Sequence, residues 1–104
     1  MIEHWDDQQW GELNEQNMRD KLRSEGYSND RALCVHARDN LGEHTHPVEK
    51  KDVVLEGELR VVMGQEDYVL LPGDSIVIPA QTPHTVLCGR RASDVISLDA
   101  SREE

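Results

Sequence analysis

Two stretches decide the fold: Leu41-Gly-Glu-His-Thr-His-Pro47 and Gly73-Asp-Ser-Ile-Val-Ile-Pro-Ala-Gln-Thr-Pro-His84. Alternate side chains of a strand point to the same face, so a strand through the first stretch would place His44 and His46 on one side. His84, from a second strand, could then complete a site of three nitrogen ligands. Neutral imidazoles are the commonest metal ligands, and three of them suit zinc, iron, copper or nickel.

Short β-branched runs separated by turn residues surround these stretches. A strand is predicted over Arg31–Arg38, followed by a turn at Asp39–Gly42. The segments Glu58–Met63 and Asp67–Leu71 predict a hairpin around Gly64 and Gln65. Further strands are predicted at Asp52–Glu56, Ser75–Ile78, Thr85–Cys88 and Asp94–Leu98. Many short strands with close turns indicate an all-β antiparallel sandwich or barrel.

The first thirty residues have a different pattern. Leu13, Met18 and Leu22 recur at roughly helical spacing among polar residues, and Gly26 is a plausible end for this helix. We therefore expect a helical segment at 1–30 that packs on a barrel domain at 31–100. Trp5 and Trp10 are expected to pack on that barrel or across a subunit contact, since two exposed indoles would be unfavourable.

Composition limits the classes of partner. The chain has 104 residues, a size that fits one domain, and a net charge of −10 at pH 7. It offers no basic patch for nucleic acid, and it is disfavoured at anionic membrane surfaces. Cys34 and Cys88 form no CxxC motif and are expected to be free thiols in a reducing cytosol. The sequence predicts a soluble, cytoplasmic protein.

The two stretches resemble the two motifs of the cupin superfamily, which are small double-stranded β-helix (jelly-roll) barrels. The first motif, G-x5-H-x-H-x3,4-E-x6-G, is matched by His44, His46 and Val53-Val-Leu-Glu-Gly57. The second, G-x5-P-x-G-x2-H-x3-N, is matched in register by Gly73, Pro79 and His84. The resemblance covers about residues 31–99. It implies a jelly-roll barrel and a metal site at the three histidines, and together with the helix predicted from the spacing in the first thirty residues it gives an all-β cupin barrel with a short N-terminal helix.

The chain also departs from these motifs. Counting back from Gly57, the glutamate ligand of the family falls on Lys50, and Glu49 is one residue out of register. The leading glycine of the first motif is Arg38 here. The inner glycine of the second motif is Gln81, and its terminal asparagine is Cys88. The three histidines are therefore present, while the acidic ligand is not.

In a barrel, Lys50 should point into the interior with the histidines. Asp52 should lie on the same face of its strand as Lys50, and Cys88 on the same face as His84. An ammonium beside a divalent cation is unfavourable. Lys50 could deprotonate, pair with Asp52 or Glu49, or turn away and leave a coordination position to one of those carboxylates or to water. His44 and His46 could instead be exposed loop histidines. His36 is expected to be an ordinary strand residue, and His4 to be exposed.

Two classes of function follow from the predicted site. The first is a small metal-binding module, expected to be a homodimer because jelly rolls leave edge strands that gain from cover. The second is a metal-dependent dioxygenase, oxidoreductase or isomerase acting on a small polar molecule, whose carboxylate Lys50 or Arg60 could hold. The metal would be a divalent transition ion (iron, zinc, nickel, manganese or copper), because three imidazoles do not set its identity. The sequence does not choose between enzyme and binder.

Overall fold

The computed structural model describes residues 1–32, 40–88 and 95–102. This part forms two antiparallel four-stranded sheets, with strand orders β1-β8-β3-β6 and β2-β7-β4-β5. The helices are α1 (Asp7–Trp10) and α2 (Glu15–Ser24), and the strands are β1 (Ser28–Ala32), β2 (Asn40–His44), β3 (Glu49–Glu56), β4 (Leu59–Met63), β5 (Glu66–Leu70), β6 (Ser75–Ile78), β7 (His84–Cys88) and β8 (Ile96–Arg102). The predicted all-β class and the short N-terminal helix are confirmed. Neither described helix is long and apolar enough to cross a membrane.

One predicted element is wrong. The turn expected at Asp39–Gly42 is strand β2 from Asn40 onward, paired antiparallel with β7. The backbone groups of this polar, glycine-containing segment are satisfied by β7, so pairing overrides the local preference for a turn. The preceding strand, β1, begins at Ser28, and most of the strand predicted over Arg31–Arg38 lies outside the described residues.

The core has two parts, on opposite faces of the sheet that contains β3. Val54 faces the space between the sheets, whereas Val53 faces α2, as the alternation along a strand requires. The buried members of the cluster between the sheets are Val54, Leu59, Val61, Leu70, Ile76, Ile78, Val86, Cys88 and Val95. Those of the cluster under α2 are Met18, Leu22, Tyr27, Val53, Leu98 and Ala100. Helix α2 therefore covers the outer face of one sheet and leaves the space between the sheets to the strands.

The residues before α1 lie along the edge of the β6 strand. Glu3 and Ser75 exchange backbone hydrogen bonds of 2.9 and 2.8 Å. Trp5 then packs on the turn before β6, where Gly73 has a φ of +91°. A Cβ atom at Gly73 would lie 2.7 Å from the Cβ atom of Trp5, so this turn has no room for a side chain. The packing of Trp5 on this turn therefore requires glycine at position 73.

Cys88 is fully buried between the sheets and is disulfide-bonded. The prediction of a free thiol is therefore wrong for Cys88, because a disulfide depends on spatial approach that the separation along the chain does not show. Cys34, the other cysteine of the sequence, lies outside the described residues. Since disulfides are rare in reducing compartments, this bond gives no support to the expected cytoplasmic location.

Candidate metal centre

Three histidines meet at one end of the space between the sheets. His44 on β2 and His84 on β7 are direct partners in the antiparallel register, and His46 follows β2 by two residues. The candidate ligand atoms of the three residues all lie within 4.8 Å of one another. The ring centroids are 4.2 Å apart for His44 and His84, 4.8 Å for His44 and His46, and 5.2 Å for His46 and His84. Strand pairing thus brings together residues that are far apart in the sequence.

Backbone carbonyls fix the orientation of two of the rings. The Nδ1 atom of His44 lies 2.6 Å from the carbonyl oxygen of Gly42, and Nδ1 of His84 lies 2.8 Å from that of Thr82. A carbonyl oxygen can only accept, so each Nδ1 carries the proton and donates it. The lone pair of each neutral ring is then on Nε2, which is left available for a metal. This is the arrangement of an oriented metal ligand.

The backbone of Gln81 ties His46 to the second motif. Gln81 has a φ of +60°, a left-handed conformation that is uncommon outside glycine. Its N–H group donates to the carbonyl oxygen of His46 at 2.7 Å. Gln81 stands where the family motif has glycine, so the departure noted in the sequence marks a turn that keeps the glycine conformation. This turn holds the segment that carries His46 beside β7.

The surroundings favour the neutral form of two of the imidazoles. Burial lowers the pKa of His84, which is only 2% exposed, and the hydrogen bond to Thr82 opposes that shift in part. Burial also lowers the pKa of His46, with the charge of Lys50 and the neighbouring His44 acting in the same direction. Neutral imidazole is the form that binds a metal, so both shifts extend the binding form to lower pH.

Lys50 is buried beside the triad and is paired. Its ammonium group donates to a carboxylate oxygen of Asp99 at 3.0 Å and to the hydroxyl of Ser101 at 2.8 Å. Of the alternatives left open by the sequence, ion pairing is the one observed, although the partner is neither Asp52 nor Glu49. Asp99 and Ser101 were missed because the strand predicted over Asp94–Leu98 was ended too early. Continued period-2 alternation past Leu98 would have placed both residues on the inward face.

Asp52 completes this buried polar group. It lies directly opposite Asp99 in the register of β3 and β8 and is 2% exposed. Burial raises the pKa of Asp52 well above its ordinary value, as do a hydrogen bond and the negative charge of Asp99, while Lys50 lowers it. The raised pKa favours the protonated form of the Asp52 carboxyl group, which can donate a hydrogen bond to Asp99. The Oδ1 atom of Asp52 has no hydrogen-bond partner within the described ranges.

The other residues considered from the sequence lie elsewhere. Glu49 is on the opposite face of β3, where it accepts a 2.6 Å hydrogen bond from the hydroxyl of Tyr27. Cys88 shares the inward face with His84, but it belongs to the apolar cluster, and its disulfide removes it as a thiol ligand. His4 is exposed and lies 2.6 Å from a carboxylate oxygen of Asp74. His36 lies outside the described residues.

A cleft of about 430 Å³ opens beside His46. Its walls are formed by Asn29, Arg31, His46, Pro47, Val48, Lys50 and Ser101. The cleft therefore lies between His46 of the triad, Lys50 and strand β1. It provides space for a small molecule next to a candidate metal ligand.

The donor set fits a transition metal. Two of the three imidazoles have their Nδ1 atoms bound to carbonyl oxygens, and Lys50 is held by an acid rather than left as a free charge facing the ion. Within the described ranges, the three histidines form the one group of His, Cys, Asp or Glu side chains arranged to hold a metal. Three nitrogen ligands leave further coordination positions open.

Comparisons with known proteins agree with this architecture. A family model described as a cupin domain matches residues 33–93. A cupin superfamily protein from Desulfitobacterium hafniense superposes with a TM-score of 0.60 at 16% identity, covering 72% of this chain and 76% of its own. A protein containing a cupin-2 domain from Shewanella frigidimarina has a TM-score of 0.56 at 17% identity, and the match covers 74% of this chain and 72% of that protein. A structure of iron(II) HppE in complex with substrate has a TM-score of 0.60 at 18% identity, and the match covers 69% of this chain and 44% of that protein. A comparison with curated protein sequences finds no match.

Proposed function

Because the chain belongs to the cupin family, we propose that it is a small metal-binding protein in which His44, His46 and His84 hold a divalent transition ion. The observation that carries this proposal is the convergence of three imidazoles within 4.8 Å, with Nδ1 of His44 and His84 donated to backbone carbonyls. Oriented neutral imidazoles are the ligand set that iron, zinc, nickel, manganese and copper share, and cellular supply then decides among these metals.

The bound ion would act as a Lewis acid towards an oxygen atom of a ligand that enters from the cleft. The protein's own residues would orient the ligand and keep the site partly dry. His84 is the buried member of the triad, whereas His46 also lines the cleft, so a ligand would meet the His46 side first. Lys50 does not compete with the ion as an unpaired charge, because Asp99 and Ser101 hold its ammonium group.

A second candidate function is a metal-dependent dioxygenase, oxidoreductase or isomerase acting on a small polar molecule. The cleft that reaches His46 favours it, because a metal that only stabilises the fold needs no such opening. The similar fold of iron(II) HppE, which was solved with its substrate, supports the same direction. This candidate requires turnover in addition to metal binding.

Metal analysis of protein purified without a histidine tag tests the primary proposal. The wild-type protein should hold about one ion per chain after loading with zinc and removal of the excess. His46→Ala and His84→Ala should each abolish stoichiometric binding. His4→Ala is the matched control, because His4 lies outside the triad and contacts Asp74 instead. Full metal content in both triad variants would overturn the proposal.

A further inference from the structure

Within the described ranges, the cleft beside His46 is lined by the cationic side chains of Lys50 and Arg31, and of these two only Lys50 is paired with another side chain. Lys50 forms its ion pair with Asp99 at 3.0 Å. Arg31, on strand β1, has no hydrogen bond or ion pair to any side chain of the described ranges. Arg31 is also the direct partner of Asp99 in the register of β1 and β8, which places it on the same face as the buried polar group. Its guanidinium group is therefore at the cleft and available.

The local charge favours an anion at this point. Among the described residues, the lining of the cleft includes Arg31 and Lys50 and no carboxylate, and the ammonium group of Lys50 is paired with Asp99. Arg31 adds a positive charge that is not paired with an acidic side chain of the described ranges, and a metal at the triad would add more. The chain as a whole carries a net charge of −10, so the positive side chains at this cleft stand out from the rest of the molecule.

Asn29 extends the same wall. It lines the cleft with Arg31, and it has a φ of +56° at an irregularity in the pairing of β1 with β8. Asparagine adopts this left-handed conformation more readily than most residues do. Its amide can donate a hydrogen bond to an acceptor that already contacts the guanidinium. The wall formed by β1 thus presents hydrogen-bond donors, and His46 of the triad lines the same cleft.

We infer that this cleft binds a small organic acid whose carboxylate is held by Arg31 and whose second oxygen reaches the metal at the three histidines. The inference rests on the proposed metal-binding function and names the class of its ligand. A planar guanidinium fits a carboxylate through two parallel hydrogen bonds, which selects this anion over a neutral amide. A cleft of about 430 Å³ suits a small molecule.

Titrations of the wild-type protein with lactate, pyruvate, lactamide and inorganic phosphate test the inference, using zinc-loaded and metal-free samples followed by protein NMR. At least one of the two acids should bind. Lactamide should bind at least about tenfold more weakly than lactate, and Arg31→Gln should weaken acid binding by about tenfold or more. Arg60→Gln is the matched control, because Arg60 lies on β4, pairs with Asp67 and does not line the cleft. It should bind the acids as the wild type does.

Several results would overturn the inference: binding of neither acid, equal binding by Arg31→Gln, equal binding of lactamide, or tighter binding of phosphate than of both acids. The metal proposal is tested separately by the zinc content of each sample. Arg31→Gln should retain the wild-type zinc content. Acid binding that depends on Arg31 in a wild-type protein holding no zinc would support the carboxylate contact and contradict the metal proposal alone.

Discussion

At the scale of single residues, the buried carboxyl pair of Asp52 and Asp99 is the most unusual feature beside the triad. An isolated carboxylate is costly to bury, and here only one lysine offsets two acids. Burial beside Asp99 favours the neutral, protonated form of Asp52. The raised pKa of Asp52 is the consequence of its burial and of the neighbouring Asp99, and it has a measurable effect on stability.

Asp52→Asn should reduce the pH dependence of unfolding. A carboxyl group whose pKa is raised in the folded state binds its proton more tightly there than in the unfolded state. Its contribution to the free energy of unfolding is therefore complete below the unfolded pKa of about 3.9, and it is lost as the pH rises through the pKa of the folded state. Asparagine does not titrate, so the variant should lose less stability than the wild type as pH rises above about 4. Urea unfolding at several pH values measures this difference. Asp20→Asn, at an exposed position, should follow the wild-type curve, and a parallel curve for Asp52→Asn would contradict the prediction.

The histidines and Lys50 could be located from the sequence because motif spacing and strand parity fix a residue's side of a sheet. Asp99 could not, because its partnership with Lys50 depends on β8 continuing beyond Leu98 and lying beside β3. Arg31 was missed for a related reason. Its place at the cleft follows from the register with Asp99, and register between distant strands is not visible in either strand alone.

At the scale of elements, ion pairs join the N-terminal residues, α2 and β3. Lys21 donates to Glu3 and Glu25 at 2.8 Å each, and Lys51 donates to the same two residues at 2.8 and 2.7 Å. Each lysine side chain is 5% exposed, so these contacts are less screened than surface pairs. Each lysine has two acidic partners, and the four groups together are neutral. The network links the N-terminal segment, through Glu3, to the C-terminal end of α2 and to β3.

Glu3→Gln should weaken this attachment at neutral pH. Burial alone would raise the pKa of Glu3, but hydrogen bonds from Lys21 and Lys51 outweigh it and lower the pKa to about 2. The stability from a lowered pKa is present above the unfolded value of about 4.3 and is lost as pH falls towards the folded one. The Glu3 side chain is 47% exposed, so solvent screening reduces the expected loss to about 1 kcal/mol.

Thermal unfolding at pH 7 and at pH 2 to 3, values chosen to bracket this transition, measures the effect of Glu3→Gln. The variant should be less stable than the wild type at pH 7, and the difference should shrink in acid, where the wild-type Glu3 also begins to lose its charge. Glu12→Gln, at an exposed position, should match the wild type at both pH values. A loss for Glu3→Gln that is equal at both would show that the charge is not its cause.

The strands were predictable where alternation and turn residues agreed, as in the hairpin of β4 and β5. The start of β2 was not predictable, because Asn40-Leu-Gly42 favours a turn locally and becomes a strand only through its pairing with β7. This error bears on function, since β2 carries His44. The local sequence singled out the three histidines as candidate ligands, whereas the long-range pairing that brings them together is visible only in the fold.

At the scale of the whole molecule, helix, sheet and sheet form three layers with two separate apolar clusters. The triad lies between the sheets, where the chain crosses from β2 in one sheet to β3 in the other. His44 and His84 belong to the paired strands β2 and β7, whereas His46 lies within the crossover. A metal bound by all three would therefore fasten the crossover to its sheet. It would act on the global stability of the barrel, far from the cluster under α2.

Zinc should therefore raise the melting temperature, and His46 should be required for the rise. At a free zinc concentration about 100 times the dissociation constant, a site present only in the folded state adds about 2.7 kcal/mol, which is roughly 10 to 20 °C for a domain of this size. Leu22→Ala should lower the stability by about 2 to 5 kcal/mol with and without zinc, because Leu22 lies in the cluster under α2. Its zinc-induced rise should match that of the wild type, whereas His46→Ala should show none. Differential scanning calorimetry with and without a chelator measures all three proteins. A full rise in His46→Ala would mean that zinc stabilises the fold from a site other than the one between the sheets.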